Sequence, residues 1–290
     1  MGNIEEITAD LINSEEYVME FLEFPKFFRE LSAEELGKTL KDIGFDGVDV
    51  MVRDGYWVTY DTLKDSLPKY IKIMHSFGLS TKSATTSVTE TRDPNFQDMY
   101  RIFADNGVQM YRYGGFRYRG MGTFHDDFQI ARGVVGELEK LGEKYGVKAI
   151  IQMHGGTLHC SSSMSYFLLN GFDPRYVGSH YDPGNMIQQE GHEDWEKGID
   201  IIKPYLCYVA VKNSAPFLVP HPESYKLQWS KQWTTLADGL VDWKRVLKAL
   251  KQAGYDGPIC FHNFYERGLE HLIARTREDV QYVRSILASI

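Results

Sequence analysis

Four short hydrophobic runs in the second half of the chain end in polar side chains that can transfer protons or bind a cation. The polar residues are Gln152, His154, His180, Asp182, Lys212, Asn213, His262 and Asn263. Because side chains alternate along a β-strand, Gln152 shares a face with His154. By the same rule, His180 shares a face with Asp182. An imidazole exchanges protons near neutral pH and a lysine ammonium stabilises negative charge, so these segments predict an acid–base site.

His262 is the favoured general base, since an imidazole at its reference pKa of about 6.5 is half deprotonated close to neutrality. Lys212 is the favoured acid or electrostatic stabiliser, and only desolvation would let it act as a base. His154 and His180 are the second candidates. In the competing interpretation each histidine is a core residue with its hydrogen bonds satisfied, and Lys212 pairs with Asp49 or Asp182. The grouping of the histidines favours catalysis.

A repeated pattern explains how these segments are positioned. A helix-like stretch ends at a glycine and a buried strand follows at once, and two copies are nearly the same peptide: LKDIGFDGVDV from Leu40 and LKQAGYDGPIC from Leu250. Glycine is the usual residue at a left-handed helix cap. Repeated helix-to-strand units indicate a parallel sheet, and the same module at both ends of the chain predicts a closed (β/α)8 barrel.

We predict one barrel domain over residues 1–290, with a capping box at Ser32 and Glu35 opening the first helix. The eight predicted strands are 17–23, 48–52, 79–85, 108–113, 148–154, 177–182, 206–212 and 258–263. In such barrels catalytic groups lie at the C-terminal ends of the strands, which is where the polar residues fall. The loops there are long, at 114–125, 155–174, 185–195 and 213–239. Loops of this size are commonly lids or binding surfaces.

Four residues of this end are predicted to contact substrate. Arg112 begins the densest basic run, which is either a solvated loop or a grip for an anionic or hydroxylated ligand. Phe116 and Trp229 are loop aromatics that either cover the apolar face of a sugar or anchor the loops to the barrel rim. Asn185 closes the DPGN segment that follows the sixth strand.

Composition bounds the class of protein. With 290 residues, 43% of them hydrophobic, the chain can bury the core of one barrel. Its formal net charge of −8 argues against a nucleic-acid surface. A signal sequence and a membrane-spanning run are both missing from the sequence, and the three cysteines are widely spaced, so we expect a soluble cytoplasmic protein with reduced thiols. The expected partner is a small-molecule sugar, without membrane, nucleic acid or organic cofactor.

Six segments carry a family resemblance: GFDGVDV from Gly44, QMHGG from Gln152, VGSHYDPGN from Val177, VAVKN from Val209, ADGLVDW from Ala237 and GPICFH from Gly257. In this order they resemble the motifs of the sugar phosphate isomerase/epimerase family, the xylose isomerase-like TIM barrels. The similarity runs from about Leu31 to the C terminus. It implies the barrel fold, chemistry on a sugar or keto-sugar, and the homodimers that are common in the family.

The resemblance also implies where a metal would bind. In this family a Glu, an Asp, a His and a Glu on strands five to eight typically hold one divalent cation, and here those places are Gln152, Asp182, Ala210 and His262. Of the four family ligands, only the aspartate, Asp182, is present. The two glutamates also transfer the proton in this family, and Gln152 and His262 replace them here, so the usual ketose 3-epimerase mechanism is not expected. Either a remodelled site binds a cation through Gln152, Asp182 and His262, with His180 nearby, or no metal is bound. A remodelled site would hold Mg²⁺ or Mn²⁺ weakly and prefer Zn²⁺, Co²⁺ or Ni²⁺.

Three functions follow. The leading hypothesis is an isomerase or epimerase-like enzyme that abstracts a proton next to a sugar carbonyl, with or without metal assistance. The second is a lyase or deglycosidase acting on 3-keto-glycosides, because the same proton removal leads to elimination when a leaving group is present. The third is a sugar-binding barrel without catalysis. Nuclease activity is disfavoured by the charge and by the missing carboxylates.

Overall fold

A computed structural model of the chain describes residues 19–89, 91, 93–265 and 267–290. The strands are β1 (Phe21–Glu23), β2 (Gly47–Val48), β3 (Val50–Val52), β4 (Ser83–Thr86), β5 (Met110–Arg112), β6 (Lys148–Gln152), β7 (Val177–Tyr181), β8 (Leu206–Val211), β9 (Asn213–Pro220), β10 (Leu227–Thr234) and β11 (Ile259–Phe261). The helices are α1 (Ala33–Ile43), α2 (Leu63–Ser76), α3 (Pro94–Asp105), α4 (Phe124–Tyr145), α5 (Ser162–Leu169), α6 (Pro183–Gln188), α7 (Trp195–Ile202), α8 (Trp243–Gln252) and α9 (Leu269–Leu287). A 3-10 turn, Lys203–Tyr205, precedes β8.

The parallel strands form one sheet in the order β2-β1-β11-β8-β7-β6-β5-β4-β3. The two end strands, β2 and β3, are halves of one predicted strand that is interrupted at Asp49. β2 pairs with β1, where Gly47 lies opposite Leu22, and β3 pairs with β4, where Val50 lies opposite Ala84. One continuous stretch of chain therefore joins both edges of the sheet, and the predicted (β/α)8 barrel is confirmed.

The first helix shows why these elements form. The Ser32 side chain accepts a hydrogen bond from the Glu35 backbone, and the Glu35 carboxylate accepts one from the Ser32 backbone, so the predicted capping box is present. Leu36, Leu40 and Ile43 are buried on one face, and Gly44 ends the helix in the left-handed region with φ of 106°. The other helices likewise turn their apolar faces toward the sheet, so the core lies between the helical layer and the barrel.

The last helix, α9, returns to the first. The guanidinium groups of Arg277 and Arg284 donate to the backbone oxygens of Asp42 and Gly44, each over 2.7 Å. The ring of Phe21 in β1 lies 4.7 Å from the Arg284 guanidinium carbon. The two ends of the described chain thus close the helical layer as well as the sheet.

The predicted and observed elements differ mainly in the loops. The loop predicted at 213–239 contains the antiparallel β9–β10 hairpin, with Asn213 opposite Thr234. The loops at 155–174 and 185–195 contain α5 and most of α6. The first strand begins at Phe21, and residues 17 and 18 of its predicted range lie outside the described residues.

None of the helices in the described part of the chain combines the length and the apolar character that a bilayer crossing requires. The three cysteines, Cys160, Cys207 and Cys260, are free thiols.

Candidate active site

The inner face of the barrel supplies the candidate site. Ile150, Tyr208 and Cys260 belong to a buried cluster that fills the barrel interior. Because side chains alternate along each strand, Gln152 and His262 share the face of the residues two positions before them. Lys212 lies four positions after Tyr208 on the same face. The site therefore begins where the apolar filling of the barrel ends, at the C-terminal mouth.

Lys212, Asp182 and Gln152 meet at this mouth. The Lys212 ammonium lies 2.9 Å from Asp182 Oδ2, and the same oxygen accepts a hydrogen bond of 2.6 Å from the Gln152 amide nitrogen. Asp182 Oδ1 accepts from the Asn185 backbone over 2.8 Å, because Asp182 is the N-cap of α6. The Asn185 side chain donates to the Met153 backbone oxygen over 2.8 Å. One fully buried carboxylate thus organises side chains from three consecutive strands.

Asp49 does not compete for Lys212. Its Oδ2 accepts a hydrogen bond of 2.7 Å from the Tyr208 hydroxyl, deeper in the barrel. Burial raises the pKa of Asp49 to about 6, and the Tyr208 hydrogen bond opposes that rise. Of the two partners left open by the sequence, the structure selects Asp182.

The Lys212 ammonium lies against an aromatic wall. Its nitrogen is 4.9 Å from the ring centre of Trp233 and 5.2 Å from that of Phe264, and these two rings stack on each other at 4.7 Å. Burial lowers the pKa of Lys212, whereas its contact with Asp182 raises it and so offsets part of the effect. The charge is therefore held in place between a carboxylate and two aromatic faces.

His262 lies beside this wall, stacked on Phe24 with ring centres 4.5 Å apart. Its ring is 5.7 Å from the ring of His180, which is more deeply buried. Burial lowers the pKa of His262 well below its reference value, and the charge of Lys212 adds to the effect. The pKa of His180 is also lowered, first by burial and then by Arg112. Both rings are consequently neutral at pH 7, and His262 is more completely deprotonated than its reference pKa suggests.

Two adjoining cavities open over these residues. The inner one, of about 340 Å³, is lined by His262, Lys212 and Asn185 among others. The outer one is about 800 Å³. Both are lined by Arg112, Gln152 and His154, so they meet there.

Of the remaining predicted residues, only His154 lines the cavities. His154 is exposed at the rim, where its Nδ1 is 2.9 Å from the Gly155 oxygen. His180 lies behind His262 and lines neither cavity. Phe116 is buried against Tyr113, and Trp229 is 71% exposed on the hairpin. Neither Phe116 nor Trp229 lines either cavity, so the structure shows no cavity contact for the substrate-binding roles predicted for them.

Several residues of the inner cavity were not selected from the sequence. They are Phe24, Lys26, Arg53, Gln189, Trp233 and Phe264. Trp233 lies in the same predicted loop as Trp229, at 213–239, and nothing in the sequence distinguishes it. It contacts Lys212 because it lies near the end of β10. Phe264 follows His262 by two residues, so the alternation of side chains beyond the strand could have indicated it.

The donor set does not fit the divalent cation that the family resemblance implies. Such an ion would need free oxygens from Asp182 and Gln152 and a nitrogen from His262. Instead, Asp182 Oδ2 already accepts from both Lys212 and Gln152. Across the described residues, no three His, Cys, Asp or Glu side chains are grouped so that they could hold a metal ion. In this arrangement Lys212 provides the positive charge that neutralises Asp182.

A closed parallel barrel with a polar, partly buried C-terminal mouth places the molecule among the (β/α)8-barrel proteins. The chain belongs to the xylose isomerase-like TIM barrel family, whose sequence profile matches residues 37–286. This confirms the family that the six sequence segments indicated.

Solved structures share the fold at low identity. D-psicose 3-epimerase from Clostridium cellulolyticum H10, solved with D-tagatose, is 13% identical, with a TM-score of 0.70 over 93% of this chain and 99% of that chain. The 3-keto-D-glucoside 4-epimerase of E. coli is 13% identical, with a TM-score of 0.67 over 92% and 100%. A xylose isomerase-like TIM barrel protein from Mycobacterium smegmatis, solved with magnesium, is 16% identical, with a TM-score of 0.66 over 93% and 96%. A search of curated protein sequences finds no match.

Proposed function

We propose that this protein is a carbohydrate-active isomerase or epimerase-like enzyme that moves a proton at a carbon next to a carbonyl group. The observation that carries the proposal is that a neutral imidazole, His262, and a lysine ammonium, Lys212, line the same inner cavity. Proton abstraction next to a carbonyl needs a base at the carbon and positive charge at the oxygen, and these two groups supply both. The epimerases among the similar structures support the same reaction class.

His262 is the base in this proposal. Its Nε2 is buried and has no hydrogen-bond partner within the described part of the chain. Its lowered pKa keeps the ring unprotonated at neutral pH, so the lone pair is available to the substrate. The same shift makes it a weaker base than an ordinary imidazole, and the reaction therefore depends on stabilisation of the enolate oxygen.

Lys212 supplies that stabilisation. As the proton leaves carbon, negative charge develops on the carbonyl oxygen, and a fixed ammonium in a largely buried site lowers its energy without reorganisation. Asp182 and the aromatic wall keep the ammonium in place. Return of the proton from His262 to the former carbonyl carbon, with the neighbouring hydroxyl proton passing to the former carbonyl oxygen, completes an isomerisation. Epimerisation by the same base needs the enolate to turn over in the cavity, so that the proton returns to the opposite face of the same carbon. This scheme uses only side chains of the chain itself.

Solvent exchange tests the proposal directly. The enzyme is incubated in D₂O with D-psicose, D-tagatose, D-fructose 6-phosphate, 5-keto-D-gluconate and a 3-keto-glucoside, and deuterium at carbon is followed by NMR. We expect exchange with at least one ketone, slowed by about 10²–10⁴-fold in His262→Asn. His75→Asn, an exposed change on α2, is the matched control and should leave the rate unchanged.

The same experiment separates the alternatives. Release of the aglycone from the 3-keto-glucoside would identify the lyase reaction rather than isomerisation. Saturable binding without exchange by any of these sugars would identify a sugar-binding barrel and overturn the proposed enzyme. Unchanged exchange in His262→Asn would remove His262 as the base.

A further inference from the structure

The walls of the two cavities carry positive charge only. The cationic side chains that line them are Lys26, Arg53, Arg112, Arg117 and Lys212, and among the described lining residues there is no Asp or Glu. This contrasts with the chain as a whole, in which 40 acidic residues outnumber 32 basic ones. Asp182 lies beneath the surface of the mouth, fully buried, and neutralises Lys212. The arginines therefore supply positive charge that Asp182 does not neutralise.

Arg112 is the centre of this charge. It is half-buried where the two cavities meet, and within the described part of the chain no carboxylate lies at ion-pair distance from its guanidinium. Burial, together with the charge of Arg53, lowers the pKa of Arg112 to about 10, and the charges of Asp49 and Asp182 offset only part of the shift. At neutral pH the Arg112 guanidinium is still charged. It is therefore a partly desolvated cation close to a second cation, Arg53. That arrangement costs free energy unless a ligand supplies an anion.

We propose that the substrate carries an anionic group, a carboxylate or a phosphate, which Arg112 and Arg53 bind. A planar guanidinium binds both kinds of group through two parallel hydrogen bonds. With the anion on Arg112, the rest of a sugar-sized molecule extends across the inner cavity, which Arg112 shares with His262 and Lys212. The substrate class becomes sugar acids or sugar phosphates rather than neutral ketoses. Which carbon reacts depends on the proposed function, whereas binding of the anion does not.

Calorimetric binding to the full-length protein tests this without any turnover. The three probes are D-fructose, D-fructose 6-phosphate and 5-keto-D-gluconate. We expect at least one of the two anions to bind about tenfold or more tightly than D-fructose, with an affinity that falls as salt is raised. The anion that binds distinguishes phosphate from carboxylate as the recognised group.

Variants then place the site. Arg112→Met should weaken binding of the anion by about 10- to 100-fold and leave binding of D-fructose almost unchanged. Arg112→Lys keeps the charge but loses the paired hydrogen bonds, so its loss should be smaller. Arg29→Met is the matched control, because Arg29 lies at the same end of the barrel but lines neither cavity. Thermal unfolding of each variant shows that it is folded.

Two results would overturn the proposal. One is equal affinity for D-fructose and for both anions. The other is an anion affinity that Arg112→Met and Arg29→Met lower equally, which would reflect net charge alone. Tight, Arg112-dependent binding of an anion without solvent exchange would support this inference while contradicting the proposed enzyme, so the two can fail separately.

Discussion

Lys212 has a structural role as the partner of Asp182, and in the proposed function it also has a catalytic one. Its side chain is 4% exposed and that of Asp182 is 0% exposed, so two charges are held largely out of water. Such a pair is stabilising only while both partners are present, because either charge alone would be buried without compensation. The structural interpretation, in which Lys212 pairs with Asp182, and the catalytic one, in which it faces substrate, are therefore compatible.

Replacing Lys212 by Met should separate the two roles. The single variant leaves the Asp182 carboxylate without its cation, and we expect it to lower the free energy of unfolding by about 3–5 kcal/mol. Adding Asp182→Asn removes the orphaned charge and keeps an N-cap for α6, so the double variant should regain most of that loss. Neither variant should catalyse solvent exchange. Urea unfolding and the D₂O assay measure the two quantities.

Lys248→Met, on the exposed side of α8, is the control for removing a lysine and should change little. A single variant as stable as the wild type would show that the pair contributes nothing to folding. Activity regained in the double variant would show that Lys212 is not the group that stabilises the enolate.

At the scale of elements, the loops after β5 and β6 are tied together by His159, which also lines the outer cavity. His159 Nε2 accepts a hydrogen bond of 3.1 Å from the Phe116 backbone, and Arg117 and Thr157 form an isolated antiparallel bridge beside it. Since Arg117 and Thr157 also line the outer cavity, this connection shapes the mouth of the barrel. Phe116 thus has the anchoring role that the sequence left open.

The stability of this connection should depend on pH. Burial lowers the pKa of His159 to about 3, from a reference near 6.5 in the unfolded chain. Above about pH 6.5, His159 is unprotonated in both the folded and the unfolded protein. Between about pH 6.5 and pH 3, His159 is protonated in the unfolded protein and stays neutral in the folded one. Stability is therefore lost as pH falls from 6.5 toward 3, by about 1.4 kcal/mol per pH unit.

His159→Gln keeps an acceptor for the Phe116 backbone but cannot titrate. We expect the stability of the variant relative to wild type to rise by about 2 kcal/mol between about pH 7.5 and about pH 5. Other titrating groups are common to both proteins and cancel in the comparison. Urea unfolding at the two pH values measures this, and a difference that stays constant would show that His159 is not kept neutral in the folded state.

For the whole molecule, the critical position is where the barrel closes. Gly47 in β2 pairs with Leu22 on one side and forms a bridge to Ser80 on the other. A methyl group at this position would lie 2.7 Å from the Leu22 side chain and 2.8 Å from the Ser80 backbone oxygen, besides contacting the Ser80 hydroxyl. The closing strand therefore needs a residue without a side chain.

Gly47→Ala should destabilise the protein by about 1–3 kcal/mol, because the neighbouring strands must move apart. Gly133→Ala in α4 is the contrasting control. Nothing lies within 4 Å of a methyl group there, and alanine favours the helix, so we expect a gain of about 0.5–1 kcal/mol. Thermal or urea unfolding compares the two variants. If Gly47→Ala were as stable as the wild type, the strands around Gly47 would be less tightly packed than these distances indicate.

The sequence by itself determined the repeating helix–strand order, the closure of the barrel and the end of the barrel where polar residues gather. These properties follow from local signals: helical spacing of apolar residues, glycine caps and the two-residue period of strands. Gln152, Asp182, Lys212 and His262 could be selected for the same reason, since each lies at or just beyond the end of a strand on its inward face.

Only the tertiary structure decided how those residues interact. The pairing of Lys212 with Asp182 rather than Asp49, the lowered pKa of His262 and the positive lining around Arg112 all depend on distances between strands that are far apart in the chain. The β9–β10 hairpin was missed because β10 has no buried face to leave a two-residue pattern. Alternation and capping are local properties of the chain, whereas electrostatic environment is a sum over spatial neighbours, which no short stretch of sequence contains.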